Sequence, residues 1–256
     1  MIYDYKSLSR TDIEEIVKGG RAVAVLPIGA IEQHGPHLPV GTDSFTSRAY
    51  ADIVVKKVED KADFLVLPQL FYALSVEHTN YPATLALGPE TLLHVLKDIG
   101  AGLAKTGITR LVFINGHGGN DHLLQVAARE IYKLGVRCYI SCSIAILDAM
   151  GVDPSAVHAD KVETSLMLLL HPELVHKDRI TPELDASKEK WMALADMKSY
   201  MSETWYAEDV SVDGVVGEPT LATEEFGEEV LTRLTDEMAK GIAYVLDRDG
   251  ISGQIS

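Results

Sequence analysis

The chain has 256 residues, 46% of them hydrophobic and 24% charged, with a formal net charge of −15. That is enough chain for one sizeable core, and the composition is that of a globular protein rather than a disordered one. Acidic residues outnumber basic ones several-fold between Glu183 and Glu237, which argues against a nucleic-acid groove, because phosphate binding needs clustered Lys and Arg.

Thr11 and Glu14 have the spacing of a capping box for a short helix ending at Gly19 and Gly20. Ala22 to Ile28 is a compact apolar strand. A Gly/Pro-rich loop follows, within the stretch LPIGAIEQHGPHLPVGTDS from Leu26 to Ser44. Ser44 to Val58 has helical apolar spacing, and Phe64 to Leu67 reads as a second strand. Phe71 to Gly88 is irregular and too long for a simple connector. Pro89 and Gly107 bracket a helix. Leu111 to Ile114 is a third strand, followed by NGHGGN and a helix to Leu134. Val136 to Cys142 is a fourth strand. Its two cysteines, Cys138 and Cys142, stand four apart, roughly 13 Å in extended chain, too far for a disulfide. Val162 to Leu170 reads as a buried helix and Glu224 to Leu246 as an amphipathic one. Residues 172–222 are polar and broken by Pro182 and Pro219, with Trp191 and Trp205 isolated among charges. Those tryptophans would form either a lid or a subunit contact.

Strands alternating with helices predict a single α/β domain, 1–256, with a mostly parallel sheet covered by helices on both faces. Ligands in such folds sit at the carboxyl ends of the strands, where the loops at 29–43, 115–120 and near 158 would gather. No apolar run reaches the ~18 residues of a membrane span, and MIYDYKSLSR has no apolar signal-peptide core. A soluble, cytoplasmic protein is expected.

Charged and imidazole side chains at the mouth of a buried strand point to metal coordination. In extended chain Glu32 and His34 face one side, about 6.5–7 Å apart along the backbone. Asp43 falls where a helix begins, as a ligand or as an ordinary N-cap. His117 lies in FINGHGGN, directly after a strand. A Gly-rich turn there also suits a dinucleotide phosphate, but G-x-G-x-x-G is incomplete and Asp121 takes the last glycine's place. Glu163 precedes the apolar run SLMLLL, as ligand or as helix-start charge. His158, five residues earlier, is a candidate acid/base group. No G-x-S-x-G elbow or cysteine motif is present, which weakens a covalent mechanism. Mixed His and carboxylate donors suit Zn, Mn, Fe or Co better than Ca or Mg. Two such ions would activate a water and polarise a carbonyl.

The motifs PIGAIEQHGPHLPVGTD, FINGHGGN, HADKVETS and GVVGEPTLATEEFGEEVL resemble the creatininase, or creatinine amidohydrolase, family over nearly the whole chain. The resemblance implies a creatininase-like α/β fold, a binuclear metal centre, action on a C–N amide bond and a homo-oligomer, often a hexamer. It assigns Glu32, His34, Asp43 and His117 as metal ligands, with Asp43 bridging. Ser75 and His78, in LSVEHTNYPAT, and Gly118 would contact substrate, and His158 would be catalytic. Creatininases carry Tyr and a metal-binding Glu where this chain has Gly118 and Gly119. Glu163 is expected to supply that missing carboxylate, and with it a share in catalysis. The family's aromatic and acidic substrate contacts align near Pro154 and Ser155, so creatinine itself is not the expected substrate. Relatives sharing the shorter glycine motif include formamide hydrolases and a peptidase of mycofactocin maturation. The expected function is hydrolysis of a cyclic amide or formamide of a small molecule, with two divalent ions. A metallopeptidase-like activity, or metal binding without turnover, are the alternatives.

Overall fold

The structure is a computed structural model that describes residues 1–141, 146–147, 151, 157–197 and 203–250. Cys142, Pro154 and Ser155 lie outside the described residues. Strand β2, Ala22–Ile28, is buried along its whole length. Its side chains alternate between two cores, as a period of two requires. Val23 and Val25 enter one core, and Ala22, Ala24, Leu26 and Ile28 the other. Strands β3 (Asp63–Val66) and β4 (Arg110–Asn115) divide the same way: Phe64, Val112 and Ile114 face the first core, Leu65, Leu111 and Phe113 the second. Strands buried on both faces read as continuous apolar runs, which is why they are legible as such.

The first core is closed by α2 (Thr42–Lys57), α5 (Lys161–Leu170) and α7 (Glu224–Arg248). The second is closed by α1 (Arg10–Lys18), α3 (Pro89–Thr106) and α4 (Asp121–Tyr132). All described strand pairs are parallel. Among the described residues the sheet has five strands, not four: Ile2–Asp4 forms β1 and pairs with β3, and β5 is Arg137–Ile140. The order is β1-β3-β2-β4-β5. After β2 the chain moves to one side to form β3, then returns across β2 to form β4 and β5. Strand order therefore reverses between β2 and β4, and the crevice outside their carboxyl ends is where ligands bind in such sheets.

Local chemistry corrects three sequence expectations. The capping box of α1 is Ser9 with Asp12, not Thr11 with Glu14. Asp43 is not the cap of α2: the helix starts one residue earlier, at Thr42 after Gly41, so the Asp43 carboxylate is free to turn inward. Trp191 is no lid over the pocket. It lies on α6 (Asp185–Met197), 3% exposed in a small core with Val210 and Val216, its ring edge-on to Trp205 at 6.0 Å.

Candidate metal centre

Three loops converge on the β2/β4 crevice, and backbone pairing fixes each. Gly116 N–H donates to Ile28 O at 2.9 Å, joining the turn after β4 to the end of β2. Gly29 N–H donates to Leu70 O at 3.1 Å and Leu85 N–H to Ile31 O at 2.8 Å, which draws the 71–88 segment onto the same rim. Gly116 has to be glycine, because a Cβ there would strike the backbone of Asp43 and, at 2.8 Å, the side chain of Ser47. The asparagines of NGHGGN are structural. Asn120 donates to Gly29 O and accepts from Leu74 N–H, both at 3.0 Å. Asn115 donates to His117 O at 2.7 Å.

Inside this frame Glu32 and His34 are fully buried, and Asp43 and His117 nearly so. Asp43 lies between the two imidazoles. Its Oδ1 is 3.1 Å from His34 Nε2 and its Oδ2 is 3.3 Å from His117 Nδ1. Glu32 Oε2 is 3.3 Å from His117 Nε2, and Glu163 Oε2 is 3.7 Å from His34 Nε2. The five expected ligands thus gather in two neighbouring groups, Glu32–Asp43–His117 and His34 with Glu163 and His158, and Asp43 reaches the second through His34.

His158 and His78 stack at 4.2 Å between ring centroids on the third side. His158 Nδ1 and His78 Nε2 each lie 3.6 Å from Glu32 Oε1. His158 is delivered by antiparallel pairing with Val216, next to Ala159, which holds a left-handed backbone at φ 51°. The Ala159 N–H is secured by Glu163 Oε2 at 2.6 Å. Helix α5 is capped by Asp160, whose side chain accepts from Val162 N–H and Glu163 N–H. Glu163 is therefore not needed for that task. Ser75 is fully buried beside Glu32, and Gly118 is exposed next to His117.

The charges show what the pocket is built for. Burial pushes the Glu32 carboxyl up to about 8, against the pull of His117. Asp43 is pushed the other way: despite its burial, His34 and His117 hold it well below the usual carboxylate range. His34 is raised against its burial by Asp43 and Glu163, and His117 likewise by Glu32 and Asp43. His158 is lowered to about 4 by burial and then by His34.

Proton counting then tests the fit to a cation. His34 Nδ1 faces the Glu32 carbonyl at 3.1 Å, so that nitrogen carries hydrogen. Its Nε2 faces only carboxylates. Both nitrogens of His117 also face only carboxylates. A neutral imidazole has one N–H, so each ring requires either an extra proton or a cation. Both oxygens of Glu32 and Oδ2 of Asp43 are buried without a hydrogen bond. Donor atoms about 2.05 Å from a tetrahedral zinc lie roughly 3.3–3.4 Å apart, and the Asp43–His separations of 3.1 and 3.3 Å match that spacing. The residues fit divalent metal.

Two contributors, Glu77 and Gln33, are invisible to spacing rules, while a third, His37, stands out in the same loop as Glu32 and His34. Glu77 Oε1 lies 3.1 Å from His117 Nε2; its only signal is the neighbouring His78. Gln33 accepts from Gly35 N–H at 2.9 Å through Oε1 and donates to Gly214 O at 3.1 Å and His78 Nδ1 at 3.0 Å through Nε2. That orientation leaves His78 with Nε2–H turned inward. His37, from the same HGPH run, is buried, and its Nε2 meets Thr164 Oγ1 at 2.8 Å, fastening the loop to α5.

Comparison with known proteins agrees with this geometry. The family model Creatininase, described as creatinine amidohydrolase, matches residues 6–242. The mycofactocin precursor peptide peptidase of Mycolicibacterium smegmatis is 33% identical over 233 residues, spanning 90% of this chain and 88% of that protein. The creatinine amidohydrolase of Pseudomonas putida is 31% identical over 196 residues, 68% of this chain and 74% of that one. A solved manganese creatininase superposes with a TM-score of 0.77 at 25% identity, covering 95% of this chain and 99% of its own. A creatininase variant of Zn-Zn type gives 0.75 at 25% identity, covering 94% and 97%. With the family model spanning all but the ends, and a parallel sheet whose crevice holds these buried donors, this chain belongs to the creatininase family of metal-dependent hydrolases.

Proposed function

We propose that this hydrolase cleaves a C–N amide bond, in a formamide or cyclic amide of a small molecule, at a centre for two divalent cations. The observation that carries the reading is Asp43, one oxygen toward His34 and the other toward His117. Glu32 and His117 would hold one cation, His34 and Glu163 the other, and Asp43 would span both. Zinc or manganese suits the donor set, iron also. Such ions lower the pKa of a bound water to near 7 and polarise a carbonyl.

The remaining steps belong to the chain's own groups. His158 Nε2–H is committed to Gln33 O at 2.6 Å, which leaves Nδ1 as a lone pair facing the pocket. Depressed to about 4 by burial, the ring is neutral at pH 7. At Nδ1 it takes a proton and returns it to the leaving nitrogen. His78 offers Nε2–H as a donor to the substrate, Ser75 its hydroxyl, and Gly118 an unobstructed rim.

A second reading, cleavage of a peptide, is favoured by the 33% identity to a peptidase over 90% of this chain. No described helix is long and apolar enough to cross a membrane. A cytoplasmic homo-oligomer, a hexamer by family habit, remains our expectation for the assembly. The test is a panel of formamides, cyclic amides and short peptides against protein loaded with Zn²⁺, Mn²⁺ or Fe²⁺. Turnover of the first two classes supports the proposal, turnover of peptides alone supports the second reading, and no turnover would leave a metal-binding protein. His34→Ala and Asp43→Ala should each lose metal and activity together; retained metal stoichiometry in both would overturn the site.

A further inference from the structure

We infer that Glu77 is the positioning carboxylate of His117, and that residue 119 is glycine so that this carboxylate can reach the imidazole. The inference rests on the metal-hydrolase reading and adds a residue to it. His117 is 8% exposed and faces acceptors at both nitrogens. Nδ1 lies 3.3 Å from Asp43 Oδ2. Nε2 makes a hydrogen bond to Glu77 Oε1 at 3.1 Å, while Glu32 Oε2, at 3.3 Å, is outside hydrogen-bonding geometry. The N–H therefore goes to Glu77, and the Nδ1 lone pair points toward Asp43, where the cation would sit. A metal-bound histidine characteristically gives its other N–H to a carboxylate, which fixes the ring and raises its basicity.

Glu77 comes from a different loop, on a 3-10 turn Val76–His78. The space it fills belongs to the NGHGGN turn. A Cβ at position 119 would fall on Glu77 Oε1 and His117 Nε2, and within 3.1 Å of Glu77 Cδ. Position 119 itself contributes no side chain, and a carboxylate from the 71–88 segment occupies the space that a Cβ there would fill. Glu77 is that carboxylate, with Oε1 at 3.1 Å from His117 Nε2. Its side chain is 17% exposed, on the open side of the centre.

Zinc titration against a competing chromophoric chelator tests this on the full chain, with no substrate present. The wild type should bind zinc. Glu77→Ala should weaken binding by about 10–100-fold. Glu77→Gln, which keeps an acceptor but not the charge, should fall between them. Gly119→Ala should weaken binding too, because its Cβ would press on both Glu77 Oε1 and His117 Nε2. Far-UV circular dichroism of the metal-free proteins separates this from unfolding. Should Glu77→Ala fail to fold, the isosteric Glu77→Gln decides. Unchanged zinc affinity in a folded Glu77→Gln and Glu77→Ala would overturn the inference alone. A wild type that binds no zinc would instead overturn the metal-hydrolase reading.

Discussion

His158 has one nitrogen tied to the Gln33 carbonyl at 2.6 Å and the other facing Glu32 Oε1 at 3.6 Å. That division of labour sets its expected behaviour. Replacing it by Ala should lower kcat by about 10²–10⁴-fold, the usual contribution of a positioned acid/base group, while metal content stays at the wild-type level. Loss of metal in His158→Ala would instead make it a ligand, as its place beside Glu163 and His34 would permit. At this scale the sequence was informative wherever acid and imidazole recur in one short loop: Glu32, His34 and Asp43 were legible from spacing, and His117 from its glycines. Glu77 and Gln33 were not. Their roles depend on partners brought in from other loops: Glu77 reaches the His117 ring, and the Gly214 carbonyl orients the Gln33 amide.

Helix α5 shows the same point for an element. Its burial was legible from SLMLLL, but its cap was not. Asp160 accepts from Val162 N–H at 2.8 Å and Glu163 N–H at 3.0 Å, and Asp160→Ala should cost about 1 kcal/mol as a lost N-cap. The charge matters separately. Burial, and after it Glu163, push the Asp160 carboxyl up to about 7, against about 3.9 in an unfolded chain. The folded state thus holds this proton more tightly. The stability carried by the group is full below pH ~4 and is lost as pH rises toward 7. Asn keeps the cap and does not titrate. In chelator-treated protein, Asp160→Asn should therefore gain on the wild type between pH 5 and pH 8 in urea midpoint; a pH-independent difference would refute the assignment. Strand β1 was missed for a related reason. Three residues with an exposed–intermediate–exposed pattern carry no apolar run, and only pairing with β3 makes them a strand.

Across the whole molecule, the fold was legible because β2, β3 and β4 are each apolar on both faces, and alternation with helices leaves a parallel sheet as the economical arrangement. The reversal of strand order between β2 and β4 was not readable, yet it decides where the loops meet. It also sets the molecule's dependence on metal. Glu32 and Asp43, Glu77, and Glu163 come from three separate segments and crowd into one largely buried pocket of a chain already carrying a net charge of −15. In the unfolded chain these groups are scattered and bind a cation weakly, so a cation that binds the native pocket stabilises the whole fold by mass action. At a hundred times Kd the gain is about 2.7 kcal/mol. At roughly 2–4 °C per kcal/mol for a domain near this size, that corresponds to an increase of about 5–10 °C in Tm. Differential scanning fluorimetry with Zn²⁺ or Mn²⁺ against a chelator control should show it in the wild type. Asp43→Ala, which removes the carboxylate between His34 and His117, should lose most of the shift. An equal shift in that variant would mean that the stabilising ion sits elsewhere, on the acidic surface rather than in the β2/β4 crevice.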